Sequence, residues 1–272
     1  MEKLYFLTAG VPLRAGTKGY QRGFEIHDEM GLDGLEMEFV HGVRISDKSK
    51  DAVKASGKII TAHAPFYVNL NAREEEKVEA SVQRIIETAQ VTNELGGYSI
   101  TYHAGFYLNQ DADLVYDKIK AQTKIITDTL NAEGNKIWIR PETTGKATQW
   151  GDLNEIIKLS KEFETVLPCV DFSHIHARYN GFWNTYDEFA SIFEQIGNEL
   201  GRVALDNFHA HIAGIEYSAK GEKKHLNLEE SDFNYKDLLK AFKDFDVKGV
   251  IVCESPNIED DAKLLKDYYS SL

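Results

Sequence analysis

Histidine, aspartate and glutamate residues follow short apolar runs at several points along the chain. The residues in this position are His63, His103, Glu142, Asp171, His174, His211 and Glu254. Imidazole nitrogens combined with carboxylate oxygens suit Zn²⁺, Mn²⁺ or Fe²⁺ better than Ca²⁺. A single histidine in an apolar strand is usually a hydrogen-bonded core residue, but burying the whole set without a partner would be costly. The set therefore indicates a centre for divalent metal ions, provided that the fold brings its members together.

The apolar runs alternate with segments of helical period, and this alternation repeats eight times. The predicted strands are Leu4–Thr8, Gly34–Phe39, Ile59–His63, Tyr98–His103, Ile137–Glu142, Leu167–Asp171, Phe208–Ile212 and Val250–Glu254. Such alternation implies parallel pairing through right-handed crossovers, and eight units close a barrel. We predict an α/β protein with a single (β/α)₈ TIM-barrel domain over residues 1–272, in preference to a doubly wound open sheet. The candidate ligands would then converge, because all C-terminal strand ends of a barrel lie on one face.

The clearest helix follows the third strand, where the apolar residues from Val78 to Ala89 recur at spacings of three and four. The glycines of Leu95-Gly96-Gly97 predict its end. Further helices are predicted at Asp111–Glu133, Asp152–Lys161, Asp187–Leu200, Tyr235–Phe245 and Asp260–Tyr269.

Composition narrows the class of protein. Hydrophobic residues make up 42% of the chain and charged residues 28%, which is ordinary for a globular protein with a sizeable core. The net charge of −13 argues against a protein that coats nucleic acid through many Lys and Arg residues, but it does not exclude a local site.

The first apolar run is too short for a signal peptide, so we expect a cytoplasmic protein without a membrane partner. Cys169 and Cys253 lie inside apolar runs and are interpreted as buried free thiols.

Six short segments around the candidate ligands carry a family resemblance. They are His63-Ala-Pro-Phe-Tyr-Val-Asn-Leu, Tyr102-His-Ala-Gly, Pro141-Glu-Thr-Thr-Gly, Asp171-Phe-Ser-His, His211 with His225, and Cys253-Glu-Ser-Pro. Through them the chain resembles, over nearly its whole length, the endonuclease IV family of apurinic/apyrimidinic endonucleases, a branch of the xylose-isomerase-like barrels. One segment would be weak support, but six in the same order form a stronger signal.

The resemblance implies how the ligands are shared among metal ions. One ion would be held by His63, His103 and Glu142, and Glu142 would bridge to a second ion held also by Asp171, His211 and Glu254. A third ion would rest on His174 and His225. The resemblance also implies a catalytic role for Glu142, since a bridging carboxylate can orient the attacking water.

One position departs from the family pattern. The family places an Asp two residues before the last histidine, whereas this chain has Lys223 there. Either Glu222 substitutes through its longer side chain, or the third ion is weak or missing.

The remaining histidines are less certain ligands. In the tandem His209-Ala-His211 we prefer His211, because its separation of fourteen residues from His225 leaves the smaller gap. His176 and His209 are interpreted as partners that orient neighbouring ligands. A further two histidines, His27 and His41, are interpreted as structural or exposed.

The resemblance implies hydrolysis of DNA on the 5′ side of abasic sites in base-excision repair, with two or three divalent ions. Zn²⁺ is favoured, and Mn²⁺ and Fe²⁺ are the alternatives. Metal ions activate water near neutral pH and stabilise the leaving 3′-oxygen, so no side-chain nucleophile is required. Phe66 and Tyr67 stand where the family places residues that fill the gap left by the missing base, with simple packing at the rim as the alternative. The implied partner is damaged duplex DNA, and we expect a monomer.

Two other functions stay open. A sugar isomerase or epimerase on the same barrel needs one divalent ion, for which Glu142, Asp171, His211 and Glu254 would suffice. The additional histidines at 63, 103, 174 and 225 favour the nuclease. The third function is a non-catalytic metal-binding or damage-sensing barrel, which the lysine at position 223 keeps open.

Overall fold

The large sheet consists of eight parallel strands in a computed structural model that describes all residues, 1–272. The strands are β1 Leu4–Ala9, β2 Gly34–Glu38, β3 Ile59–His63, β4 Ser99–Tyr102, β5 Trp138–Pro141, β6 Val170–Asp171, β7 Phe208–Ile212 and β8 Gly249–Cys253. Their order is β5-β4-β3-β2-β1-β8-β7-β6. Ile139 of β5 also forms a parallel bridge with Val166, which precedes β6. All eight predicted strands are confirmed to within a few residues, and the fold is of the (β/α)₈ class; it is not a doubly wound open sheet.

Helices follow the strands as the sequence predicts. They are α1 Gly19–Met30, α2 Asp47–Ala55, α3 Glu75–Glu94, α4 Ala112–Ala132, α5 Leu153–Ser160, α6 Phe172–Arg178, α7 Tyr186–Leu200, α8 Arg202–Asp206, α9 Tyr235–Asp244 and α10 Glu259–Ser271. Two short 3₁₀ helices, Leu13–Lys18 and Leu228–Glu230, complete the helical elements.

Local sequence explains where several helices begin and end. The side chain of Asp111 caps α4, and Asp152 with Glu155 forms a capping box at the start of α5. Helix α3 ends at Glu94 with Leu95 as its C-cap, because Gly96 follows with a φ of 78°, a conformation that glycine adopts without strain. The predicted glycine stop is thus confirmed.

Three elements that bear on function were not predicted. Helix α6 begins immediately after β6, without an intervening loop. The segments Gly214–Ser218 and Gly221–Leu226 pair as an antiparallel hairpin, called here the β7 hairpin because it follows that strand. Gly105–Phe106 and Gln149–Trp150 form a second short antiparallel ribbon.

The chain divides into two compact units, each with its own core. The first comprises residues 1–35, 145–147 and 169–272, and the second comprises residues 36–144 and 148–168. In the first unit Phe172, Phe193, Phe208 and Phe242 are buried against one another, with ring centroids 4.8–6.3 Å apart. In the second, Trp150 is among the largest fully buried side chains. That the two units form one domain stays a prediction.

Neither cysteine is paired, and both are buried, as predicted. Burial is the main cause that raises the pKa of Cys253 to about 12. None of the helices has the length and apolar character that crossing a lipid bilayer requires.

Candidate metal centre

Three candidate ligands of the second unit lie at the ends of adjacent strands. His63 is the last residue of β3, and His103 and Glu142 come directly after β4 and β5. Nε2 of His63 lies 3.1 Å from Oε2 of Glu142, and Nε2 of His103 lies 3.0 Å from Oε1 of the same carboxylate. Their ligand atoms all lie within 4.8 Å of one another. We call these residues the strand-end set; two imidazoles and a carboxylate at this spacing fit one divalent cation.

Three carboxylates act on His63 of the strand-end set. Burial by itself would lower the pKa of His63, but the hydrogen bond and charge of Glu142, together with Glu38 and Glu36, raise it to about 10. Glu36 is buried on β2 and accepts a hydrogen bond from Oγ1 of Thr61 at 2.6 Å. These carboxylates favour a positive charge at His63, and a divalent ion supplies such a charge in place of a proton.

A second group of candidate ligands lies within the first unit. Asp171 ends β6 and caps α6: Oδ1 accepts the backbone N–H of His174 at 2.7 Å, and Oδ2 lies 3.1 Å from Nδ1 of that histidine. Nε2 of His225, on the β7 hairpin, lies 3.4 Å from Nε2 of His174. The ligand atoms of these three residues also lie within 4.8 Å of one another. Burial, and then the neighbouring His174, lower the pKa of His225, which favours the neutral form that binds metal ions.

The β7 hairpin brings Glu222 to the same group. Glu216 pairs with Lys224, but the next residue, Tyr217, pairs with Glu222, so Lys223 is an extra residue in a β-bulge. Because of this bulge Glu222 shares a face with His225, three residues away, and Lys223 does not. Oε2 of Glu222 lies 3.6 Å from Nε2 of His174. We call Asp171, His174, His225 and Glu222 the hairpin set.

Lys223 points away from this set. It is exposed, and its Nζ lies 2.9 Å from Oε1 of Glu216 on the outer face of the hairpin. The departure from the family pattern is therefore matched by a change of strand register. Of the two interpretations that the sequence left open, the geometry favours Glu222 as the substitute.

Gly145 was not singled out from the sequence, yet its lack of a side chain is needed here. A Cβ at this position would lie 2.6 Å from Oε2 of Glu222 and 3.1 Å from Cδ2 of His174. The backbone carbonyl of Gly145 also accepts the N–H of Glu222 at 2.9 Å. The segment Pro141-Glu-Thr-Thr-Gly was the available signal, because glycine permits close approach of the backbone.

The tandem histidines of β7 have different neighbours. His211 pairs in register with Asp171 of β6, and its Nδ1 lies 3.3 Å from Oε1 of Glu254, directly after β8. His209 lies deeper and belongs to a group with Cys169 and His211. The geometry therefore places His211, and not His209, beside Asp171 and Glu254, and its role as a ligand stays a prediction.

Two other histidines have structural contacts. The orienting role expected of His176 is wrong as regards His174: Nδ1 of His176 lies 3.1 Å from the carbonyl oxygen of Phe182, and Nε2 lies 3.2 Å from Oδ1 of Asp232. Residues two positions apart in a helix, such as His174 and His176, do not face each other. His27 is buried in α1, with Nε2 3.0 Å from Oγ1 of Thr8.

An exposed aromatic group lies in the second unit beyond β3. Phe66 and Tyr67 are 54% and 52% exposed, and their ring centroids are 4.2 Å apart. His41 lies beside them, 5.3 Å from the ring of Phe66, and its Nδ1 is 3.3 Å from the Tyr67 hydroxyl. The two rings are therefore about half exposed and packed against each other and His41.

The chain is similar to known proteins in both sequence and fold. A family model described as "xylose isomerase-like TIM barrel" matches residues 24–269. The chain belongs to this family. Within it, the chain is 46% identical over 271 residues to an uncharacterized protein of Methanocaldococcus jannaschii, covering 99% of this chain and 98% of that one. It is 23% identical over 238 residues to a probable endonuclease 4 of Mycoplasma pneumoniae, covering 85% and 78%.

Two solved structures share the fold of this chain. A D-tagatose 3-epimerase-like protein matches with a TM-score of 0.75 and 20% identity, covering 97% of this chain and 98% of that one. Endonuclease IV from Thermus thermophilus matches with a TM-score of 0.73 and 18% identity, covering 97% and 100%. The resemblance to endonuclease IV is thus confirmed as a family relationship, and both neighbours share the fold.

Proposed function

We propose that this protein is a metal-dependent phosphodiesterase that hydrolyses DNA on the 5′ side of abasic sites, in the manner of endonuclease IV. The observation that carries the proposal is the presence of two separate histidine–carboxylate groups, the strand-end set and the hairpin set. Together the two sets contain four imidazoles, and His211 is a fifth that belongs to neither set. A sugar epimerase with a single ion has no use for so many, whereas metal-dependent phosphodiester cleavage can use more than one cation.

The residues present fit divalent ions in both sets, because His nitrogens and carboxylate oxygens are borderline-to-hard donors at short mutual distances. Divalent ions bound here supply Lewis-acid activation of water and positive charge for the phosphate oxygens. Zn²⁺ is the proposed ion, with Mn²⁺ and Fe²⁺ as alternatives.

Glu142 is the proposed catalytic residue. It is almost completely buried, and each of its two oxygens lies beside a different imidazole, which fixes the orientation of the carboxylate. Oγ1 of Thr101 donates a further, longer hydrogen bond to Oε2 at 3.4 Å. A carboxylate held in this way can accept a proton from an attacking water and keep that water in line with the scissile bond.

Phe66 and Tyr67 are proposed to recognise the damaged strand. A missing base lowers the cost of moving the sugar out of the helix and leaves a gap in the base stack. Two adjacent, exposed rings can fill such a gap, since aromatic faces stack on bases regardless of sequence. His41 supports the pair from one side. We further propose that the protein acts as a monomer on damaged duplex DNA.

The direct test uses purified protein whose metal content has been measured by mass spectrometry. It is incubated with a duplex that carries one stable abasic analogue, and with the same duplex without the analogue. Incision 5′ to the analogue, abolished by chelator and restored by Zn²⁺, is the expected result. Metal-replete protein that leaves the damaged duplex intact would contradict the proposal.

A sugar isomerase or epimerase is the second candidate. A D-tagatose 3-epimerase-like protein has a similar fold, and a single ion on Asp171, His211 and Glu254 of the first unit would serve that chemistry. Ketohexoses incubated with the metal-replete protein distinguish the two activities: epimer formation, without incision of abasic duplex, would establish the sugar enzyme.

A further inference from the structure

A third group of potential ligands lies entirely inside the first unit and contains sulfur. Sγ of Cys169 and a ring nitrogen from each of His209 and His211 all lie within 4.8 Å of one another. All three side chains have no solvent exposure. The endonuclease-like ligand pattern contains no cysteine, so this group belongs to neither of the sets described above.

The register of β6 and β7 explains why these residues meet. Val170 pairs with Ala210, and Asp171 pairs with His211. Cys169 comes one residue before Val170, and His209 comes one residue before Ala210, so Cys169 lies beside His209. Alternate residues of a strand face the same side, so the pair of Asp171 and His211 and the pair of Cys169 and His209 form two successive rungs on one face of the sheet.

We propose that Cys169, His209 and His211 form a buried metal site for a thiophilic borderline ion, Zn²⁺ in the first instance, one rung deeper than the carboxylates. One thiolate with two imidazoles is a zinc donor set, and sulfur disfavours Mg²⁺, Ca²⁺ and Mn²⁺. Zinc–ligand bonds of about 2.0–2.3 Å place neighbouring donor atoms about 3.5 Å apart. The donor atoms of the three residues lie within 4.8 Å of one another, so an ion binds them once the side chains turn toward it.

Charge and proton balance are consistent with this site. Binding breaks the S–H bond of Cys169 and releases one proton to solvent, while both imidazoles bind in their neutral form. The complex of one Zn²⁺ and one thiolate carries a net charge of +1. Asp171, on the adjacent rung and fully buried, supplies compensating negative charge.

The site also has a consequence for His211. A neutral imidazole has one free lone pair, so it binds one ion at a time. An ion held with Cys169 and His209 therefore takes the lone pair of His211, and an ion bound at Nε2 leaves the Nδ1–H to be donated to Glu254, whose Oε1 lies 3.3 Å away. Occupancy of the deeper site and of the carboxylate position beside it are mutually exclusive at this histidine.

Spectroscopy of the intact protein tests the proposal. Because the three side chains are inaccessible, the protein is expressed with excess Zn²⁺ or Co²⁺, so that the ion is present while the chain folds. The Co²⁺ form is expected to show a thiolate-to-cobalt charge-transfer band in the near ultraviolet. X-ray absorption of the Zn²⁺ form is expected to show a sulfur neighbour at about 2.3 Å. Neither signal can come from the strand-end or hairpin sets, which contain no sulfur.

Two cysteine variants form a matched pair. Cys169→Ser should abolish both sulfur signals. Cys253→Ser is the control, because that thiol is also buried but pairs in register with Ile212 and so faces the opposite side of the sheet from His211. The control should retain both signals in full.

His209→Asn keeps the thiol and covers the case in which Cys169→Ser does not fold; it should lose most of the charge-transfer band. Absence of a sulfur neighbour in the wild-type protein would overturn the proposal, and so would signals that persist in Cys169→Ser. These readouts do not depend on DNA cleavage, so the site and the proposed function stand or fail separately.

Discussion

The strand-end set and the hairpin set hold similar ligands but are built in different ways. His63, His103 and Glu142 each stand at the last residue of a strand or one residue beyond it. In the hairpin set only Asp171 has such a position. His174 is positioned by helix α6, and Glu222 and His225 are positioned by the β7 hairpin.

This difference affects how firmly each set is held. Strand ends are fixed by the backbone hydrogen bonds of the large sheet, which is the most cooperative part of the fold. A hairpin of two strands is marginally stable by itself, so its side chains gain their positions from local contacts such as the approach of Gly145. We therefore expect changes in the strand-end set to affect activity more than changes in the hairpin set.

The largest effect is expected from Glu142→Gln. Gln keeps the shape of the side chain but loses the negative charge that lies between His63 and His103. Loss of groups that merely orient ligands costs about 10–100-fold, so loss of the ligand itself should lower the rate of abasic-site incision by more than about 100-fold. The measurement is single-turnover cleavage of the abasic duplex.

Folding must be checked in the same variant. Since residue 142 stands beyond the end of β5 and not in the core, thermal unfolding should still be a single cooperative transition. Glu164→Gln changes an exposed carboxylate and serves as the control, with normal incision expected. A Glu142→Gln protein that does not fold would assign the carboxylate a structural role.

The next effect concerns recognition by the exposed rings. Replacing both Phe66 and Tyr67 by Ala should weaken binding of the abasic duplex by about 1–3 kcal/mol per lost ring, which corresponds to about 5–150-fold each. Binding is measured by fluorescence anisotropy in the Glu142→Gln background, where the duplex is not cut. Metal content should be unchanged.

An exposed apolar residue elsewhere provides the comparison for this variant. Ile125 is 50% exposed on α4, and Ile125→Ala should bind the duplex normally. Equal binding by the Phe66/Tyr67 variant and the wild-type protein would mean that the rings only pack at the rim. Selective loss of sugar turnover would favour the epimerase.

The same contrast explains how far the sequence could be interpreted. Eight apolar runs with β-branched residues predicted the sheet, and a ligand at a strand end was predicted together with its strand, as His63 illustrates. Helix α6 was missed because seven residues are too few for a helical period to emerge. The β7 hairpin was missed because its second strand, Gly221–Leu226, is mostly polar. Cys169 was set aside since its distance to His209 depends on the register of two strands, which sequence alone does not determine.

A smaller effect is expected from Glu222→Ala. If Glu222 completes the hairpin set, its removal should weaken one metal site by about tenfold or more and leave the strand-end set loaded. Metal affinity is measured by competition with a chelator of known affinity. Lys223→Ala should change nothing, because it removes only an exposed ion pair with Glu216, and such pairs contribute about 0–1 kcal/mol. Weaker metal binding in Lys223→Ala, with normal binding in Glu222→Ala, would mean that position 223 belongs to the site and Glu222 does not.

The smallest expected change tests the bulge itself. The double variant Glu222→Ala/Lys223→Asp recreates the family spacing, with an Asp two residues before His225. Position 223 nevertheless faces outward, with Glu216, so the double variant should bind metal no better than Glu222→Ala alone. Recovery of wild-type affinity would mean that the hairpin slides into a regular register and that the bulge does not define the site.

Deletion of Lys223 also tests whether the β-bulge places Glu222 in the hairpin set. Removing the extra residue leaves Glu222 two positions before the histidine, and in a regular strand residues two apart share a face. The deletion variant should therefore still bind a metal ion at the hairpin set, although it loses one residue from the hairpin. Retained metal in the deletion together with lost metal in Glu222→Ala is a result that only the bulged geometry explains, because a ligand at position 223 would have disappeared with the deleted residue.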